Sequence, residues 1–192
     1  MEIKAVAVVA HPDDCVIFAR PFIESYPQFD WSILYLTYKE DDDRAKEVAQ
    51  YWNDKNINTM FLGFKDDYYD LESDQLNFWS LSDAEAQIQS ALHDAQLVLT
   101  HNENGEYGHP HHRAVHYAVQ SLSVPQVYFA NEDNKTDRIE ITSLLDLKKF
   151  PIHKDVINQI KELNIGRYIV TSAAREIINE NTNTRKHSLR IK

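Results

Sequence analysis

Two short stretches of this chain gather side chains that can hold a metal ion and move protons. The first, Val8-Val9-Ala10-His11-Pro12-Asp13-Asp14, sets an imidazole and two carboxylates directly behind an apolar run. The second, residues 100–116, holds His101, His109, His111, His112 and His116, five of the chain's nine histidines. Imidazole nitrogen and carboxylate oxygen are common zinc ligands, and a catalytic zinc keeps three protein ligands with one position open to water. His11 and Asp14 stand three apart in a tight turn. His109 and His112 stand three apart at the start of a helical pattern, so both rings lie on one side. Zinc lowers the pKa of its water to about 7. A carboxylate must then take the proton, and a donor must hold the oxyanion that forms; Asp13 and His109 are placed for those two jobs. Taken alone, His-Pro-Asp-Asp reads equally well as a capped helix start. The histidine cluster favours the metal reading.

The fold must bring these stretches together. Residues 3–10 form a nearly continuous apolar run rich in Val and Ala, the pattern of a strand buried on both faces of a parallel sheet. Residues 15–26 read as a helix with Pro21 as an irregularity, and residues 31–37 as a second strand. Asp41, Asp42 and Asp43 offer N-cap and first-turn carboxylates. Ala45, Val48, Ala49 and Trp52 then follow with the spacing of one buried helix face. Residues 57–62 give a third strand. Ser82 and Glu85 suggest a capping box for a helix carrying Ala84, Ile88, Ala91, Leu92 and Ala95. Residues 97–100 give a fourth strand, residues 109–122 a helix facing inward through Val115, Ala118, Val119 and Leu122, and residues 127–129 a fifth strand.

This alternation predicts an α/β fold, an open, mostly parallel sheet with helices on both faces; taken as Rossmann-like it has strand order 3-2-1-4-5, plus C-terminal additions, and a different order would separate the two stretches. Ligands bind beyond the carboxyl ends of such strands, where the strand order reverses. There strands 1 and 4 are neighbours, and both candidate stretches open onto one crevice. We expect a single domain over residues 1–192, with a core of 1–130 and a C-terminal extension of 131–192. That extension carries a short strand near 139–142, a helix near 156–163, a strand at 168–170, a helix near 173–178 and a polar tail from Asn179. Residues 65–80 interrupt the alternation with acidic and aromatic side chains. They suit either a sugar-binding lid, with Asp67 accepting hydroxyl protons and Tyr68 or Trp79 stacking on a ring, or a surface loop packing its own aromatics.

Composition excludes several classes. The formal charge of −10 and the lack of a basic run argue against nucleic-acid binding. The single cysteine, Cys15, excludes an internal disulfide framework and fits a reducing compartment. The N-terminus lacks a signal-peptide pattern, and no stretch reaches the roughly 20 apolar residues of a membrane span. The expectation is a cytoplasmic protein with no nucleic-acid partner and no transmembrane segment; its oligomeric state is open.

At these residues the chain resembles the PIG-L/LmbE family of metal-dependent N-deacetylases. The family pattern is Ala-His-Pro-Asp-Asp-Glu after strand 1 and His-Pro-Asp-His after strand 4. Here these read Ala10-His11-Pro12-Asp13-Asp14-Cys15 and His109-Pro110-His111-His112, with Tyr107 just before the second. Leu36-Thr37 followed by Arg44 and Glu47 is similar to a third family feature. The likeness spans about residues 1–130.

The resemblance implies that His11, Asp14 and His112 bind Zn²⁺, with Fe²⁺ able to use the same ligands. It makes Asp13 the general base. His109 would stabilise the oxyanion and protonate the leaving amine, Tyr107 would polarise the amide carbonyl, and Arg44 would meet polar substrate groups. It implies a zinc-dependent hydrolase that removes an N-acetyl group from a GlcNAc-type sugar, as a small molecule or a glycoconjugate. The alternatives are a metal- and sugar-binding homologue with little or no turnover, or a hydrolase of another amide. Two positions depart from the pattern. Cys15 replaces a glutamate and reads as a small buried side chain rather than a soft ligand. His111 replaces an aspartate that would raise the pKa of His109, which leaves His109 more of a neutral donor. Outside the motifs, His116 reads as a core-edge or solvent-facing residue rather than a ligand. His101 reads as a support for the ligands or as packing, and His153 as a more distant candidate near the site.

Overall fold

The structure, a computed structural model, describes residues 2–66, 79–129 and 168–170. Its centre is β1 (Lys4–Val9), where residues 5–9 are at most 6 % exposed. Because successive strand side chains point to opposite faces, Ala5, Ala7 and Val9 enter one core layer while Val6 and Val8 enter the other. A strand buried on both sides needs apolar residues at every position, which is why this run lacks the polar alternation of a half-exposed strand.

Around it stand β2 (Asp30–Thr37), β3 (Asn58–Phe64), β4 (Leu97–Thr100), β5 (Gln126–Phe129) and β6 (Tyr168–Val170). The sheet order is β3-β2-β1-β4-β5-β6. The first five strands are parallel, and β6 runs antiparallel to β5. The expected order 3-2-1-4-5 is therefore the observed one, with 168–170 as an added edge strand.

The helices divide between the two faces. A π-helical turn (Cys15–Ala19) leads into α1 (Arg20–Ser25), and together with α2 (Asp43–Asn53) it covers one face through Val16, Phe18, Phe22, Val48 and Trp52. On the other face α3 (Leu81–Ala91) contributes Ala84 and Ile88. A one-turn α4 (Gly105–Gly108) precedes α5 (Pro110–Gln120), which contributes Val115, Ala118 and Val119. The switch of faces falls at β1, the point where the strand order reverses.

Three local expectations change. The helix expected over 15–26 begins as a π-turn: the Arg20 N–H donates to the Cys15 carbonyl, five residues back. Pro21, next in line, has no N–H to continue an ordinary ladder. α3 is not capped by Ser82 and Glu85. Ser80 holds the extended N-cap geometry and its hydroxyl accepts from the Asp83 N–H at 3.4 Å, because Ser80 and Asp83 offer the same spacing two residues earlier. α4 falls between the fourth strand and the helix expected from residue 109, where the sequence places no element. The elements expected near 139–142, 156–163 and 173–178, and the tail from Asn179, lie outside the described residues. Among the described residues no helix is long and apolar enough to cross a membrane.

Candidate metal centre

Threonines at the carboxyl ends of the neighbouring strands fix the end of β1. Thr37 Oγ1 donates to the Ala10 carbonyl at 2.7 Å and Thr100 Oγ1 to the Val8 carbonyl at 2.9 Å. The chain then turns at His11. Asp14 folds its side chain back, so that Oδ2 accepts from the His11 backbone N–H at 2.7 Å. The Asp13 carbonyl accepts from the N–H groups of Val16 and Ile17, which starts the π-turn.

This turn sets His11 Nδ1 3.1 Å from Asp14 Oδ2, while His112 Nε2 comes from α5 to 3.2 Å from Asp14 Oδ1. His11, Asp14 and His112 are all buried, and one ligand atom from each lies within 4.8 Å of the others. The imidazoles of His112 and His11 hold Asp14 well below the usual carboxylate range against the opposing effect of burial. At His11 burial lowers the pKa, but Asp14 and Asp66 raise it more, to about 9.

Glu106 orients the second half of the site. It is 3 % exposed, and its Oε2 receives His112 Nδ1 at 2.6 Å and His101 Nδ1 at 2.8 Å, while Oε1 accepts from the Asn102 N–H at 3.0 Å. The Ala10 N–H donates to His101 Nε2 at 3.1 Å, so neutral His101 keeps its proton on Nδ1, toward Glu106. The His101 and His112 rings stack at 3.9 Å. Burial works against the Glu106 charge, yet the two imidazoles outweigh it and draw its pKa down to about 2. Backbone geometry makes the reach possible: Gly105 (φ 61°) and Glu106 (φ 58°) are both left-handed. That conformation is uncommon for a side chain such as glutamate and gathers at functional sites.

Asp13 points to a different partner. Its Oδ1 accepts from Arg44 Nη2 at 2.6 Å. Arg44 Nη1 in turn donates to the Tyr38 hydroxyl at 2.8 Å, and that hydroxyl donates to Asp66 Oδ2 at 2.6 Å. Burial and the nearby Asp14 charge raise the Asp13 pKa, against the pull of Arg44.

His109 is the N-cap of α5, and its Nδ1 accepts from the His111 N–H at 3.2 Å. Its neutral ring therefore carries its proton on Nε2. Burial and the neighbouring His112 and His11 push its pKa down to about 2. His111 is fully buried, with its Nδ1 3.0 Å from His11 Nε2 and its ring stacked on Trp79 at 4.1 Å.

The structure thus gathers His11, Asp13, Asp14, Arg44, His109 and His112 in one crevice. Arg44 is turned onto Asp13 rather than out toward open space. Tyr107 lies on α4, but its side chain is outside the described residues, as are Asp67, Tyr68 and His153. His101 shares Glu106 Oε2 with His112 and stacks on its ring. His116 Nδ1 sits 3.0 Å from the His101 carbonyl and its ring packs on Tyr128, so it belongs to the core edge. Cys15 is buried and free. Sequence reasoning missed Glu106, Asp66 and Tyr38. For Glu106 one signal was available: an acid five residues after His101 and six before His112.

A Rossmann-like sheet whose crevice carries a His-Asp-His set and a separate buried aspartate defines the class of this protein. Residues 6–123 match the family described as PIG-L, GlcNAc-PI de-N-acetylase, over more than half of the chain. The chain belongs to that family. The uncharacterized protein L374 of Acanthamoeba polyphaga mimivirus is 28 % identical over 141 residues, 67 % of this chain and 62 % of that protein. The chain thus spans about three fifths of the length of this relative. A deacetylase of the teicoplanin biosynthesis pathway superposes with a TM-score of 0.55 at 16 % identity, covering 84 % of this chain and 83 % of that one. The 4-carboxy-2-hydroxymuconate hydratase of Pseudomonas putida KT2440 superposes with a TM-score of 0.52 at 14 % identity, covering 85 % and 80 %. At such identities the likeness is one of fold.

Proposed function

We propose that this chain is a zinc-dependent hydrolase that removes the acetyl group from the nitrogen of an N-acetylglucosamine-type sugar, held as a small molecule or a glycoconjugate. One observation carries the reading: a His-Asp-His donor set and a second buried aspartate, outside that set, converge where β1 and β4 end. Membership of a family described by a GlcNAc de-N-acetylase supports the N-acetyl substrate.

His11, Asp14 and His112 would hold the ion. The donor set fits: two nitrogens and one oxygen, all buried, with the far nitrogen of His112 held by Glu106. Carboxylate support of this kind fixes a ligand ring and raises its basicity. Bound zinc supplies Lewis acidity and lowers the pKa of water to about 7, and Fe²⁺ can use the same ligands.

The chain's own residues do the rest. Asp13, fixed by Arg44 and raised in pKa, takes one proton of the attacking water as its oxygen bonds to the acetyl carbonyl carbon; a base tuned toward neutrality suits this step. His109 donates its Nε2–H to the tetrahedral oxyanion. The C–N bond then breaks, and Asp13 passes its proton to the departing nitrogen, leaving a free amine and acetic acid, which gives its proton to solvent and departs as acetate. Because Nδ1 of His109 caps α5, that ring has one proton and keeps it. The amine therefore draws on Asp13 rather than on His109, as the resemblance implied. Tyr107 is assigned to the carbonyl and Asp67 to sugar hydroxyls.

The test is acetate release from a panel of GlcNAc glycosides by zinc-loaded protein, with and without chelator. Asp13→Asn should keep its zinc content and lose about 10²–10⁴-fold in turnover. No acetate from any member of the panel, or undiminished turnover by that variant, would overturn the reading.

A further inference from the structure

We propose that the crevice holds a second divalent-cation position beside the first, formed by His11 Nε2, His111 Nδ1 and Asp66 Oδ1, so that the His11 ring bridges two ions. The proposal shares His11 with the ion position proposed above and rests on it to that extent.

Spacing carries the argument. His11 Nε2 lies 3.0 Å from His111 Nδ1 and 3.0 Å from Asp66 Oδ1, and those two atoms lie 3.8 Å from each other. A tetrahedral zinc with bonds of about 2.0–2.2 Å keeps its ligand atoms about 3.3 Å apart, and the three separations straddle that value. One N–H on His11 Nε2 can align with His111 or with Asp66, not with both; a cation at the same point satisfies all three atoms.

The ligands are also held from behind. His111 is stacked on Trp79, whose indole N–H is tied to the Lys65 carbonyl at 2.8 Å. Asp66 is anchored through its other oxygen by the Tyr38 hydroxyl. The first position uses His11 Nδ1, on the opposite edge of the same ring, so the two positions do not compete for one atom. A nitrogen-rich set favours Zn²⁺, Co²⁺ or Ni²⁺ over Mg²⁺ or Ca²⁺. With Arg44 Nη1 3.7 Å from Asp66 Oδ2, the second ion binds more weakly than the first. Loading both positions forms a bond from the ion to each nitrogen of His11 and releases each ring proton to solvent.

The experiment is equilibrium dialysis of metal-free protein against buffered free Zn²⁺, with elemental analysis, and a parallel Co²⁺ titration followed by visible absorption. Wild type should take two ions per chain, one tight and one weaker. His111→Phe keeps a ring on Trp79 and removes the nitrogen, and should take one. Asp66→Asn should weaken the second ion at least tenfold, and His112→Ala should lose the tight ion and keep the weaker. Saturation of wild type at one ion, or two-ion binding by both His111→Phe and Asp66→Asn with wild-type affinities, overturns the proposal. Thermal melts check each variant's fold, and Asp66→Asn decides alone if His111→Phe does not fold. Acetate release is scored separately: a chain that binds two ions and cleaves no amide keeps this proposal and loses the preceding one, and a one-ion deacetylase does the reverse.

Discussion

Glu106 makes the sharpest prediction at the residue scale. Its Oε2 serves two imidazole N–H groups and its Oε1 serves a backbone N–H. Glu106→Gln has no orientation that satisfies all three: one flip sets its amide NH₂ against the histidines, the other against Asn102. The variant should bind zinc about 10–100-fold more weakly, the usual effect of losing such support, as read by competition with a chelating dye; unchanged affinity would remove Glu106 from the site's support. The ligand candidates themselves were legible because His11-Pro12-Asp13-Asp14 and the histidine cluster follow strands. Glu106 was not, because it stands between glycine and tyrosine in a stretch without helical periodicity, and its reach depends on a left-handed backbone that residue types do not announce. Arg44 was legible as part of the site. Its partner was not, since nothing in the spacing distinguishes contact with substrate from contact with Asp13.

At the scale of elements, α4 and α5 lie close because Gly105 has no side chain. A Cβ there would meet Arg113 Cγ at 2.9 Å, His112 Cβ at 3.2 Å and the Arg113 backbone nitrogen at 3.3 Å. Gly105→Ala also forces alanine into a left-handed conformation, which costs about 1–2 kcal/mol before any clash. The variant should unfold at lower denaturant and bind zinc more weakly, since the contact falls on the backbone that carries His112. A stability loss with full metal affinity would show that α5 relaxes around the new methyl. The strands were readable from their apolar runs and the long helices from their periodicity. The π-turn was not, because a single displaced hydrogen bond leaves the pattern of buried residues unchanged: residues 15–19 are all buried either way.

For the whole molecule, the alternation of strand and helix gave the parallel sheet; the order 3-2-1-4-5, one of two common in such sheets, was an added choice, and its being the observed one explains the meeting of two stretches that are 100 residues apart at His11 and His111. If His11, Asp14 and His112 take an ion, the same geometry ties stability to it. A ligand that binds only the folded state adds stability that grows with its concentration, about 2.7 kcal/mol at one hundred times Kd. The melting temperature should therefore rise with free Zn²⁺ in wild type, and in Asp14→Ala the rise should move to the higher concentrations at which the weaker position fills, which calorimetry across buffered zinc concentrations will read. A wild-type melting temperature indifferent to zinc would mean that the His-Asp-His set does not take the ion.

The two halves of the crevice differ in how far the chain must travel to build them. His101, Glu106 and His112 come from one compact unit, β4 through α5, where the links run five and six residues. His11 and Asp14 join them only when β1 seats against β4, a contact spanning 92 residues at the Thr100–Val8 hydrogen bond. Contacts of long sequence separation are the slow ones to form. The unit from β4 to α5 thus holds one half of the site through local contacts, and the first strand of the chain supplies the other. An ion held by His11, Asp14 and His112 would draw on both halves, so its binding would report that β1 has seated against β4.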